Sequence, residues 1–182
     1  RLVPFMAVLY IVSAVVVIAM NSDKLLWALS AIIEGAFSPE GVTGGIIGVI
    51  IIGFRRAVFS NEAGLGSASI AHSAVKTGYP ATEGYVALLE PFIDTIVICT
   101  LTALVIITTI YDPDLAGTGI SGIEMTTRAF QQTVSWSPVP LSIAAVLFAF
   151  STMISWSYYG LKAFTYLATE GRVGQMIFKL IF

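Results

Sequence analysis

The sequence predicts an all-α membrane protein, and three observations carry that prediction. Hydrophobic residues make up 57% of the chain, mean hydropathy is +0.89, and only 11% of residues are charged, against roughly 25% in an ordinary soluble domain. The runs Leu2 to Met20, Val86 to Ile110 and Leu141 to Leu161 are long enough to cross about 30 Å of hydrocarbon as helices; the first and last carry no charge, and the middle one only Glu90 and Asp94. None of them alternates apolar and polar residues as a membrane β-strand must. The near-neutral balance, net −2, argues against a nucleic-acid partner, which needs a basic face. Cys99 is the one cysteine; it has no internal disulfide partner and reads as a buried, inert thiol in an apolar run.

The first span covers residues 2–21 and lacks the small-residue cleavage site of a signal peptide. Residues 22–35 then place Leu25, Leu26, Leu29, Ile32 and Ile33 on one face, with Ser22 or Asp23 as cap and Gly35 as stop. That pattern predicts a short amphipathic helix, with Trp27 at the interface. A second span, 41–70, is long enough but interrupted by charge. The third covers 81–110. Ser121-Gly-Ile-Glu124 is a capping-box pattern that opens a second amphipathic segment, 121–134, ahead of Trp136-Ser-Pro138. The fourth span covers 140–168, and 173–182 reads as the opening of a further one. The whole reads as part of a larger membrane protein whose partners include the bilayer and further spans of the same chain.

Charge bias orients the spans. Arg1, Arg55, Arg56, Lys76, Lys162, Arg172 and Lys179 fall at one set of span ends; Asp23, Glu34, Glu40, Asp112, Asp114 and Glu124 dominate the other. The positive-inside rule makes the first set cytoplasmic. Both amphipathic segments then lie outside.

The second span holds the most informative residues. Arg55-Arg-Ala-Val-Phe-Ser-Asn-Glu-Ala-Gly-Leu-Gly-Ser67 follows the apolar stretch from Gly44 to Phe54 directly. Polar groups at membrane depth are expensive and mark pathways or partners. At 1.5 Å per residue from Glu40, about ten to fourteen residues reach the midplane, which puts the middle near Ile50 to Phe54. The glycines 44, 45, 48 and 53 thin this half. Gly64 and Gly66 among small polar residues favour irregular backbone at Ser60 to Ser67, and irregular backbone at depth is tolerated only in protein or a cavity; the candidates for free backbone groups at the break are Ile52, Gly53 and Phe54. The other reading is a plain helix ending near Arg55, with a polar loop after it.

The stretch Gly53-Phe-Arg-Arg-Ala-Val-Phe-Ser-Asn-Glu-Ala-Gly-Leu-Gly-Ser67 resembles the sodium:alanine symporter family. So do Ala71-His72, Phe92-Ile-Asp-Thr-Ile-Val-Ile-Cys-Thr-Leu-Thr-Ala103 and Phe148-Ala-Phe-Ser-Thr-Met-Ile-Ser-Trp-Ser-Tyr-Tyr-Gly160. The resemblance covers essentially the whole chain. Ala57, Ser69 and Glu83 depart from the family's usual glycine, proline and glutamine. The resemblance implies symport of alanine or glycine with sodium as the coupling ion and no other cofactor, in the plasma (inner) membrane. It also implies an inverted-repeat (5+5) secondary transporter with a discontinuous helix, of which this chain supplies the fifth to eighth spans.

Site residues follow on that footing. The family's fold places a sodium site at the Phe148 carbonyl and the adjacent hydroxyls of Ser151 and Thr152, since a hard cation wants oxygens; read alone, both hydroxyls bond back one helical turn. A zwitterionic substrate needs donors and acceptors, which Ile52, Gly53 and Phe54 would supply at the break, with Trp156 as a wall and Phe59 as a further contact. Ordinary packing is the other role open to Trp156. Glu90 and Asp94, one turn apart, would join Arg55, Arg56 and Glu62 in an ion-pair cluster closing the cytoplasmic gate, or in a static network. His72, the one histidine, reads as solvated or capping rather than as a proton relay. A channel or other polytopic subunit is the alternative to a transporter; an enzyme would need a nucleophile–base pair or metal cluster that the sequence does not offer.

Overall fold

The computed structural model describes residues 2–37, 46–60, 62, 65–110, 122–168 and 171–181. Helix α1 is Leu2–Met20. A 3₁₀ turn at Ser22–Lys24 leads into α2, Leu25–Phe37, and the stretches Pro4–Met20 and Ser22–Gly35 meet at 78°. Helices α3, Ile46–Ser60, and α4, Ser67–His72, follow. Next come α5, Pro80–Pro91, a π-helical stretch, Phe92–Ile98, and α6, Cys99–Thr109, which together form one 30-residue rod. Helix α7 is Ile123–Thr133, α8 is Pro138–Ala168 and α9 is Arg172–Ile181.

Pro80–Thr109 and Pro138–Ala168 are each long and apolar enough to cross a membrane; α1 reaches that standard only together with the bent segment after it. The chain is an all-α membrane protein. Helix α2 runs past Gly35, the expected stop, to Phe37, and α7 lies within residues 121–134. The capping-box serine, Ser121, and glycines 44 and 45 lie outside the described residues.

Helix α6 is central, packing on α1, α2 and α7. Ala14 and Val17 of α1, Val105 of α6, and Ala129 and Phe130 of α7 form the buried cluster. Small side chains at 14 and 129 let the helices approach closely, which is how helices associate in lipid. Asn21 donates from its amide to the Val17 carbonyl at 2.9 Å and to Thr133 Oγ1 at 3.1 Å. It therefore ties the α1–α2 corner to the end of α7. Phe130 is 2% exposed and packs on Tyr10 with ring centroids 5.9 Å apart. Phe130→Ala is expected to destabilise the fold by about 3 kcal/mol, the low end for a buried ring, read as a lower melting temperature in detergent. Cys99, expected to be buried, is exposed.

Helices α3 and α8 are different in kind: no residue of α8 is fully buried, and Ile50, Ile51 and Phe54 of α3 are exposed. Helix α9 folds back against the C-terminal half of α8, where Phe178 packs on Phe164 and over the bare Cα of Gly160.

Candidate functional site

The free backbone groups expected at Ile52, Gly53 and Phe54 are not there. Helix α3 runs through Ile52, Gly53 and Phe54 without interruption to Ser60. Backbone groups inside an α-helical ladder are spent on one another, so these residues do not offer free amides and carbonyls. The physical reason is simple: one glycine costs a helix only about 1 kcal/mol, and apolar residues flank this one on both sides. The discontinuity lies between Ser60 and Ser67. Glu62 takes a left-handed φ of 53° and Gly66 one of 79°, and the Leu65 amide donates to the Glu62 carbonyl at 3.2 Å. A left-handed residue other than glycine costs roughly 1–2 kcal/mol, so Glu62 holds local strain of the sort found at functional positions. Ser69 Oγ closes the far end by donating to the Gly66 carbonyl at 2.6 Å.

The broken segment is held by side chains from the third and fourth spans. Ser60 Oγ, at the last turn of α3, donates to Asp94. Beyond the break, His72 Nδ1 lies 2.7 Å from Glu83 Oε1 and its Nε2 lies 3.4 Å from Glu90 Oε2. Tyr159 of α8 is within hydrogen-bonding reach of Glu62 and within electrostatic range of Glu90. The two acids of the third span therefore both reach the break, through different partners. Pro91, between them, has no N–H to give and its ring crowds the carbonyl of Ala87; the π-helix follows directly. Its wider turn moves Asp94 round from the position a plain α-helix would give, towards Ser60, while Glu90 faces His72.

The expected cluster is thus assembled in part. Glu62, Glu90 and Asp94 gather round the break, whereas Arg55 is exposed and has no ion pair among the described residues. The side chains of Ile52, Arg56 and Phe59 lie outside the described part of the structure. The group that pairs with the acids is His72, which is a cation only when protonated. Its hydrogen bond to Glu83 raises its pKa above the usual imidazole value; desolvation opposes this in part, and Glu90 adds a lesser rise. Glu62 Oε2 and Ser67 Oγ are buried with no hydrogen-bond partner among the described residues.

On α8, Thr152, Trp156 and Tyr159 follow one another at helical spacing on one face. Tyr159, against Glu62, is about 10 Å along the axis from Thr152 at 1.5 Å per residue. Thr152 Oγ1 donates to the Phe148 carbonyl at 3.0 Å, the back-bonding a hydroxyl makes in a helix without a ligand. Ser151 is half-buried, and its carbonyl accepts from Ser155 Oγ at 3.2 Å. Trp156 stacks edge-on against Tyr159 with centroids 6.2 Å apart.

Ser60, Glu83 and Tyr159 were not singled out as site residues from the sequence, and His72 was given a bland role. The signal for His72 was available: acids at 83 and 90 lie two turns apart on one helix, a spacing that one imidazole between them can bridge.

All 182 residues match the sodium:alanine symporter family. The chain is 40% identical over 182 residues to the sodium/alanine symporter AgcS of Methanococcus maripaludis, covering 100% of this chain and 40% of that protein. It is 36% identical over 171 residues to the amino-acid carrier protein AlsT of Bacillus subtilis, covering 93% of this chain and 36% of AlsT. To the probable sodium/glutamine symporter GlnT of the same organism it is 37% identical over 161 residues, 87% of this chain and 33% of GlnT. The chain spans about two fifths of the length of the curated relatives it matches. With the match running from the first residue to the last, the chain belongs to the sodium:alanine symporter family.

Proposed function

We propose that the protein carrying this chain couples the entry of a small neutral amino acid, alanine or glycine, to sodium by alternating access across the plasma (inner) membrane. The observation that supports this most is the placement of the helix break against Tyr159, on the α8 face that also bears Thr152 and Trp156. Backbone groups in a broken helix meet a zwitterion's charges, and oxygens stacked nearby suit a hard cation.

Phe148, Ser151 and Thr152 supply the sodium ligands. A threonine hydroxyl whose proton is spent on the Phe148 carbonyl presents only lone pairs outward, which is what a cation needs. The remaining ligands come from spans outside this chain. The substrate's charged ends meet the backbone released between Ser60 and Ser67, and Trp156 limits side-chain size. Gly53 and Phe54 contribute surface on α3, not free backbone groups. Ser60–Asp94 and His72–Glu90 close the inner side, and these contacts rearrange for release.

The test is uptake of labelled alanine, glycine and glutamine into proteoliposomes under an inward sodium gradient. Saturable, sodium-dependent uptake of alanine or glycine, with glutamine excluded, is the expected result. Uptake indifferent to sodium would overturn the coupling. Non-saturating conductance would favour a channel.

A further inference from the structure

The His72 imidazole stands between two carboxylates of one helix, and its chemistry makes that position sensitive to protons. A neutral imidazole has one N–H; an imidazolium has two. Only the protonated ring can donate to Glu83 and Glu90 at once. In the neutral form, one ring nitrogen faces a carboxylate lone pair with no proton between them. Among the described residues, the hydrogen bonds and ion pairs joining α4 to α5 all run through His72, while the helical packing of α4 is against α8. A crevice lined by Ser69, His72, Ser73, Glu83, Gly84 and Ala87 runs between α4 and α5. It lies where the broken span leaves the membrane, on the side that charge bias makes cytoplasmic.

We propose that His72 is a proton-binding latch: protonated, it pins α4 to α5 through Glu83 and Glu90 and keeps the inner seam shut; deprotonated, it frees α4 to swing out. The groups that face it from α5 are Glu83 and Glu90. From α8, Tyr159 addresses Glu62 and Glu90 rather than His72, and α4 carries no other titratable side chain. The pKa of His72 is raised in the folded protein. Its contribution to closure is therefore complete below the ordinary imidazole range and is lost as pH rises through the raised value. The seam opens as the inner solution becomes more alkaline. With side-chain exposures of 24% for His72, 16% for Glu83 and 59% for Glu90, the latch is a modest one, screened by solvent.

The claim about flux rests on the transporter reading above; the claim about the seam does not. The test therefore uses two readouts on the full-length protein in liposomes. In a Cys99→Ala background, Ala87→Cys places a thiol in the crevice, and its maleimide labelling rate is taken as a ratio to the same cysteine with His72→Gln, which cancels the thiol's own titration. That ratio is expected to rise roughly two- to fivefold from acid to alkaline pH, the range set by partly exposed ion pairs. Amino-acid exchange should rise with internal pH in step, and lose that dependence in His72→Gln. Glu83→Gln, which keeps the histidine but removes its nearer partner, should shift both profiles to lower pH. A flat labelling ratio overturns the latch even where transport is normal. Labelling that responds to pH while exchange does not makes His72 a staple and overturns its role in gating.

Discussion

Ser151→Ala combined with Thr152→Val is expected to raise the sodium concentration for half-maximal uptake by at least about tenfold, or to abolish sodium dependence outright. A tenfold change corresponds to roughly 1.4 kcal/mol, a small demand on two oxygen ligands of a hard cation. Valine keeps the shape of Thr152 but removes the oxygen, so helix α8 should survive; Thr152 is exposed and its one recorded bond is to its own helix. Thr152→Ser restores the oxygen and should restore most of the affinity. Half-saturation for sodium measured at fixed amino acid decides the matter. Unchanged affinity in the double variant would move the sodium site off α8.

The second large effect is expected at Gly66. Its φ of 79° suits glycine, and an added Cβ would meet nothing within 4 Å. The penalty of a side chain there is therefore entirely in the backbone: about 1–2 kcal/mol for an ordinary residue and more for a β-branched one. Gly66→Val should lower transport by about tenfold or more, since that conformational cost falls on the break itself, while leaving the buried cluster of α1, α6 and α7 in place. Gly66→Asn should be much milder, because asparagine visits the left-handed region readily. Uptake measured beside a melting curve separates loss of function from loss of fold. A fully active valine variant would show that this left-handed turn is dispensable.

Much of this architecture was legible in the residues. Uncharged apolar runs marked the rods, and the face made by Leu25, Leu29 and Ile32 marked a helix between them. The polar run after Arg55 marked the broken span, because side chains that compete for backbone bonds and glycines in sequence leave a clear trace. Gly64 and Gly66 favour irregular backbone after Ser60, whereas free groups at Ile52 to Phe54 fail because α3 continues through them; the residue at which α3 ends was not legible. It depends on Asp94 capturing Ser60 and on Glu62 accepting a left-handed turn, and both are decided by neighbours distant in sequence. The pairing of the acids was obscured for a related reason. A period of 3.6 residues was assumed through Glu90 and Asp94, and Pro91 with the π-helix breaks that period locally. The hydroxyls of α8 were read from their spacing and their family likeness; the bond from Thr152 to Phe148 is the resting arrangement that any such helix adopts.

The length of α8 serves as a depth gauge. Its 31 residues measure about 46 Å at 1.5 Å each, whereas a hydrocarbon layer about 30 Å thick, crossed at an average tilt near 20°, takes up only some 32 Å. Roughly three turns must therefore stand clear of lipid. Measured from Pro138, where α8 begins, the waterline at the other end falls near Tyr159. Lys162, whose ammonium group sits 5.5 Å from the Tyr158 ring centre, and the almost fully bare Tyr166 belong to the emergent part. The His72 imidazole, reached from Tyr159 through Glu90, thus samples the bulk solution of that compartment, and a buffer jump applied to that face alone will titrate it.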